Sequence, residues 1–198
     1  AADQPVRYRL LVGQGMFDAY IRHKLDSFFA DNPAIELDFS TEPPSHALVQ
    51  AVDSGQFDFA LINHRCDQPE DPALARLARV SGGIYGHRDF VGERTLPLQA
   101  KDLEGLPFLL PQAGSKQERE ALKGLAEAGI RPRKVVGHTQ YYDVMAAMLD
   151  LGVAVASFSE AILPPSSRHN VVRLMPLEDW YLQFFRKPGL SGPFADSV

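Results

Sequence analysis

The chain has 198 residues, 20 basic and 25 acidic, so its formal charge is −5 with histidine neutral. That acidity, without any cluster of Lys or Arg, argues against nucleic acid as a ligand of this chain itself. Hydrophobic residues at 45% against 23% charged exclude a disordered chain, and no apolar run is long enough to span a bilayer.

The first sixty residues alternate between strand and helix patterns. Residues 8–12 form a short apolar strand stopped by Gly13-Gln14-Gly15. Phe17, Ile21, Leu25 and Phe28 then recur at steps of four and three, which predicts one helix. Asn32-Pro33 ends it, because the residue before proline is pushed out of the α region. Residues 35–39 alternate apolar and acidic side chains and read as a strand. Ser45 is an N-cap for a short helix carrying Leu48, Ala51 and Val52, with Gly55 at its C-terminal exit. Residues 57–62 give a third strand. The β-α-β-α-β order predicts a parallel sheet with right-handed crossovers.

A turn-rich stretch over 65–72, with Cys66, Pro69 and Pro72, marks a boundary. Residues 80–90 read as a strand interrupted by Gly82-Gly83, and 106–111 as a buried strand bracketed by prolines. Ser115-x-x-Glu118 is a capping box opening a helix with Leu122, Leu125 and Ala128 on one face. A strand at 134–137 leads to Thr139, the expected cap of a helix running to about 151 and closed by Gly152. Residues 153–156 are a strand, Ser157-x-x-Glu160 a second capping box, and 171–174 and 180–185 two more strands. A chain of this size buries roughly 70% of its surface on folding, enough for two small α/β lobes.

Local motifs exclude more than they assign. Gly13-x-Gly15 follows a strand and precedes a helix, but Asp18 stands where a dinucleotide fingerprint needs a small residue, and it would repel a pyrophosphate. His87-Arg88-Asp89 lacks the rest of a kinase signature, and no Gly-x-Ser-x-Gly elbow exists. The six histidines show no metal-ligand spacing, so neither a metal nor a cofactor is expected. One cysteine cannot pair within the chain, which fits a reducing compartment. The opening residues 1–5 have neither a basic nor an apolar segment, so no signal peptide is expected.

A pattern of positions remains. In open α/β sheets ligands bind beyond the carboxyl ends of strands. Here those ends carry Gln14, Gly15 and Met16; Ser45 and His46; Asn63 and His64; Gln112 and Ser115; Thr139, Gln140 and Tyr141; and Ser157 and Phe158. Hydrogen-bonding groups at helix starts, with aromatic and Met surface between them, predict a site for a small anionic or partly aromatic molecule. The alternative for each residue is an ordinary cap serving helix stability alone.

Taken together, residues 6–190 resemble the effector-binding domain of a LysR-type transcriptional regulator. The resemblance rests on Phe28 through Asn32-Pro33 to Ile35-Glu36-Leu37, on Leu48 through Gly55-Gln56-Phe57-Asp58 to Leu61, on Leu103 to Phe108, and on Met145 to Val155, in that order. It implies two α/β lobes of the type 2 periplasmic-binding-protein architecture, joined by two crossovers with the effector cleft between them. Lobe I would take residues 1–78 plus 186–198, and lobe II residues 79–185. It further implies a cytoplasmic, non-enzymatic sensor that forms a homodimer, tetrameric in the full-length protein, with helices at about 17–30 and 116–128 as dimer contacts. DNA would be held only by an N-terminal winged helix-turn-helix that this chain lacks, and no membrane partner is implied. Where the family often offers Ser or Thr after the first strand, this chain has Gln14, Gly15 and Met16, which leans away from a simple carboxylate effector. Peroxide-sensing members need a cysteine pair, and Cys66 is single. The rival reading is an exported solute-binding protein of the same fold, and an enzyme on this fold is a third.

Overall fold

The computed structural model describes residues 6–13, 15–41, 55–65 and 74–190, with the side chains of His64 and Arg65 excepted. The chain divides into two compact units, Ala1–Arg79 with Tyr181–Val198, and Val80–Trp180. Each is built on its own five-stranded sheet.

The first unit contains β1 (Val6–Val12), β2 (Ile35–Ser40), β3 (Phe59–Arg65), β4 (Ala75–Val80) and β10 (Trp180–Arg186), in the order β2-β1-β3-β10-β4. β1 pairs in parallel with both β2 and β3, as the β-α-β pattern predicts. The late strand β10 inserts between β3 and β4, and Lys187 N–H donates to the Asp58 carbonyl at 2.8 Å. The chain therefore returns to this unit at Tyr181, earlier than the residue 186 drawn from sequence. Strand alternation sorts the buried side chains onto two faces. Leu11, Ala60, Ile62 and Phe185 pack together on one, while Tyr8, Phe59 and Phe184 pack with Leu10, Ile35 and Leu37 on the other.

The helix expected over 17–30 is not uniform. It opens as a π turn (Phe17–Ile21), tightens to a 3₁₀ turn (Arg22–Lys24), and becomes α-helical only in α1 (Leu25–Asp31). None of the side chains in these three turns is fully buried, and Phe17 is 37% exposed. The helix expected after Ser45 lies outside the described residues.

The second unit contains β5 (Gly82–His87), α2 (Ala100–Leu103), β6 (Pro107–Leu110), α3 (Lys116–Glu127), β7 (Lys134–His138), α4 (Tyr142–Asp150), β8 (Val155–Ser159) and β9 (Val171–Pro176). Its sheet order is β7-β6-β8-β5-β9, with β6 parallel to β7 and β8, and β5 antiparallel to β8 and β9. One face buries Ile84, Phe108, Leu110, Val155 and Leu174 with Leu103 of α2 and Leu125 of α3. Tyr85 and Phe158 meet edge to face, and Phe158 does the same with Tyr142 of α4, whose Met145, Ala146 and Leu149 are also buried. Both sheets are mixed, and the two units have the α/β architecture of type 2 periplasmic-binding proteins.

The glycine break in residues 80–90 has a steric cause. The strand splits at Ser81 into β4 and β5, and an added Cβ at Gly82 would run into the Glu178 carbonyl and lie 2.7 Å from the Trp180 ring. Leu177 N–H donates to the Gly82 carbonyl at 3.2 Å, so the segment before β10 lies directly on this glycine.

Candidate functional site

In the first unit the candidate groups sit where β1 and β3 end. Gly13 N–H donates to the Leu61 carbonyl at 2.8 Å, and Met16 N–H returns to the Gly13 carbonyl at 3.0 Å. The turn between them needs Gly15 at φ +77°, a conformation costly to any residue with a Cβ. Met16 is completely buried, and an added Cβ on Gly13 would lie 3.3 Å from its Cγ. Phe17 follows, edge-on to Phe39 of β2 at 5.5 Å, each a little over one-third exposed.

Asn63 lies two residues beyond the last β1–β3 partner pair, Val12 with Leu61. It is 7% exposed, and among the described residues neither its amide nitrogen nor its oxygen has a hydrogen-bond partner. A buried amide without partners costs about 1–3 kcal/mol for each group left unmade.

The opposite end of the same strands is held by an ion pair. Asp58, almost fully buried, accepts from Arg9 N–H and Nε through one oxygen and from Arg9 Nη2 through the other, at 2.8–3.3 Å. Arg9 Nη2 also donates to the Gly55 carbonyl at 3.1 Å. Burial pushes the Asp58 carboxyl upward, but the Arg9 hydrogen bonds outweigh it and hold the carboxyl below its usual range.

In the second unit the candidates lie at the ends of β6 and β7. Ser115 Oγ accepts from Glu118 N–H at 3.0 Å, as the capping box predicts. The Glu118 carboxylate accepts from Gly114 N–H rather than from the cap residue itself, and its other oxygen lies 3.0 Å from His138 Nε2. That pair ties the start of α3 to the end of β7. Thr139 N–H still belongs to the ladder, donating to the Leu110 carbonyl at 3.0 Å. Its hydroxyl accepts from Tyr141 N–H at 3.0 Å, so Thr139 fastens the approach to α4, and the helix proper begins at Tyr142. Gln112, Gln140 and Tyr141 are exposed at these ends.

Ser157 and Phe158 sit inside β8, opposite Ile84 and Gly83. The β5 ladder keeps this stretch extended, so the expected second cap moves from Ser157 to Ser159, whose Oγ accepts from Ala161 N–H at 3.2 Å. Phe158 is buried in the aromatic row described above. Tyr85 in that row donates to the Ser81 carbonyl at 3.1 Å, and burial pushes its phenol up to about 12, so it stays protonated.

The structure thus places Gly15, Met16 and Asn63 at one set of strand ends, and Gln112, Ser115, Thr139, Gln140 and Tyr141 at the other. Gln14, Ser45 and His46 lie outside the described residues, and for His64 only the backbone in β3 is described. Sequence reasoning missed the His138–Glu118 link. The capping box marked Glu118, but nothing in the spacing pointed it at a histidine twenty residues on. Among the described residues no cluster of three His, Cys, Asp or Glu side chains could hold a metal ion. None of the described helices is long and apolar enough to cross a membrane.

The family model of the LysR substrate binding domain matches residues 7–186. The chain belongs to that family. It is the ligand-sensing domain of a LysR-type regulator, and the match decides between the regulator and the transport reading of the sequence. Solved structures of LysR-type domains share its fold at low identity. The Synechocystis PCC6803 CcmR regulatory domain in complex with 2-PG superposes with a TM-score of 0.67 at 15% identity, over 96% of this chain and 92% of that one. The C-terminal domain of a probable LysR family regulator from Rhodococcus sp. RHA1 gives 0.65 at 17% identity, over 96% and 95%. Full-length CbnR complexed with its target DNA gives 0.60 at 14% identity, over 98% of this chain and 68% of that one. Among curated proteins none matches. The family is one of transcriptional regulators, and this LysR-type domain carries its polar side chains at the strand ends where such α/β folds bind ligands.

Proposed function

We propose that this domain senses a small molecule through Met16, Asn63, Ser115, Thr139, Gln140 and Tyr141, with Gln14, Gly15, Ser45, His46, His64, Gln112, Ser157 and Phe158 completing or shaping the site. The observation that carries the reading is Asn63, a buried amide with both ends unmade at the carboxyl end of a parallel strand. Among the described residues that amide has no partner, and a bound ligand would supply one. The domain works as a non-catalytic sensor in the cytoplasm, where target DNA is available, and pairs as a homodimer within a tetrameric full-length protein. The effector shifts this assembly only by the difference in its affinity for two arrangements. CcmR holding 2-PG and CbnR holding its target DNA support a small-molecule input and a DNA output.

The test is effector affinity, by calorimetry, in Thr139→Val combined with Ser45→Ala. Loss of about tenfold or more is expected where hydroxyls contact the ligand. An affinity within about twofold of the parent would overturn the site assignment.

A further inference from the structure

We infer that the effector is uncharged where it meets the first unit, and presents a hydrogen-bond donor beside an acceptor, as carboxamides, lactams and nucleobase edges do. The inference rests on the proposed site and names its ligand class. It begins with the chemistry of Asn63. An Asn side chain offers two N–H donors and one acceptor oxygen in a single plane. Here both the nitrogen and the oxygen are buried without a partner among the described residues. A carboxylate would satisfy the N–H group but set its own negative charge against the Asn oxygen. An ammonium would satisfy the oxygen and repel the N–H. A donor-acceptor edge satisfies both at once, in the geometry of a paired amide.

The surroundings on the same strand ends are apolar. Alternation along β3 puts Asn63 on the face of Phe59, which also carries Tyr8, Leu10 and, through its pairing with Leu10, Phe39. Met16 and the Phe17–Phe39 edge pair stand at the neighbouring strand ends. Such walls suit a flat, partly aromatic body attached to the polar edge.

Charge beside these strand ends also disfavours an anion: Asp18 lies in the first turn after Met16, where it takes the favourable helix-dipole position, and it pairs with Arg22 at 2.9 Å.

The experiment is a thermal-shift series on the whole chain with benzamide, uracil, benzoate and benzylamine at matched millimolar concentrations. Benzamide or uracil is expected to raise Tm by about 2 °C or more, with benzoate and benzylamine inert. Asn63→Leu and Asn63→Thr are expected to abolish that shift, and Asn63→Leu to raise the ligand-free Tm, because the unmade amide is gone. A shift from benzoate or benzylamine that Asn63→Leu removes would overturn the ligand class while leaving the site in place. An amide-dependent shift that survives both variants would overturn the role of Asn63. No shift from either amide probe would overturn the inference, while the Thr139 and Ser45 test of the site would stand apart from it.

Discussion

The strand ends of the two units solve the same problem differently. In the second unit the capping and linking groups are committed within the protein. Ser115 and Ser159 cap their own turns, Thr139 fastens Tyr141, and Glu118 bridges Gly114 and His138. In the first unit Asn63 is buried and, among the described residues, committed to nothing. The second unit offers a pre-organised frame whose hydrogen bonds survive without ligand. The first holds an unmade interaction that only an added partner can complete. Ligand binding at the first unit is therefore expected to draw its energy largely from completing Asn63.

The comparison breaks most readily at Gly82. The 177–180 segment of the second unit lies against that glycine, where an added Cβ meets the Glu178 carbonyl. Gly82→Ala is expected to destabilise by about 3 kcal/mol, read by urea denaturation. A cost under about 1 kcal/mol would show that the segment moves aside easily, and that the second unit is no stiffer than the first.

Next in size is the Arg9–Asp58 pair, which fixes the opposite end of the strands that carry Asn63. Arg9→Ala leaves the Asp58 carboxylate buried without its partner. The expected cost is about 2 kcal/mol, below that of a fully buried pair because Arg9 is partly exposed. Asp58 also sets an acid limit. Its folded carboxyl titrates below the unfolded value of 3.8, so its contribution is present above about pH 4 and is lost as pH falls through the lowered folded value. Asp58→Asn is expected to flatten this part of the acid unfolding curve. An unchanged curve would mean that the pair contributes nothing net.

How much of this was legible beforehand follows from the range of each interaction. The β-α-β order, the α3 cap at Ser115 and the parallel pairing of β1 with β2 and β3 are local or pattern-level features, and the sequence carried them. The placement of β10 between β3 and β4 was not legible, because residues 180–186 pair with strands more than a hundred positions away. The Ser157 cap failed for a similar reason. A Ser-x-x-Glu motif states a local preference, and the β5 ladder overrode it by holding residues 157–159 extended. Asn63 was picked out by its position at a strand end, but its missing partners emerge only when the neighbours are in place.

The smallest effect sharpens the comparison best, since it separates a frame residue from a contact residue. Thr139 has two bonds of different kinds. Its backbone N–H belongs to the β6–β7 ladder, which Thr139→Val retains, and its hydroxyl accepts from Tyr141 N–H, which the substitution removes. Valine keeps the shape and the β-branched preference for extended backbone, so the stability cost is expected to be about 0.5–1 kcal/mol. If Thr139 belongs only to the frame, ligand affinity should fall by no more than the loosened approach to α4 explains. If the hydroxyl also meets the ligand, the loss in affinity should exceed the loss in stability, because the contact is counted only in the bound state. Chemical denaturation and calorimetry on the same single variant measure the two quantities separately, and their ratio assigns Thr139 to one role or the other.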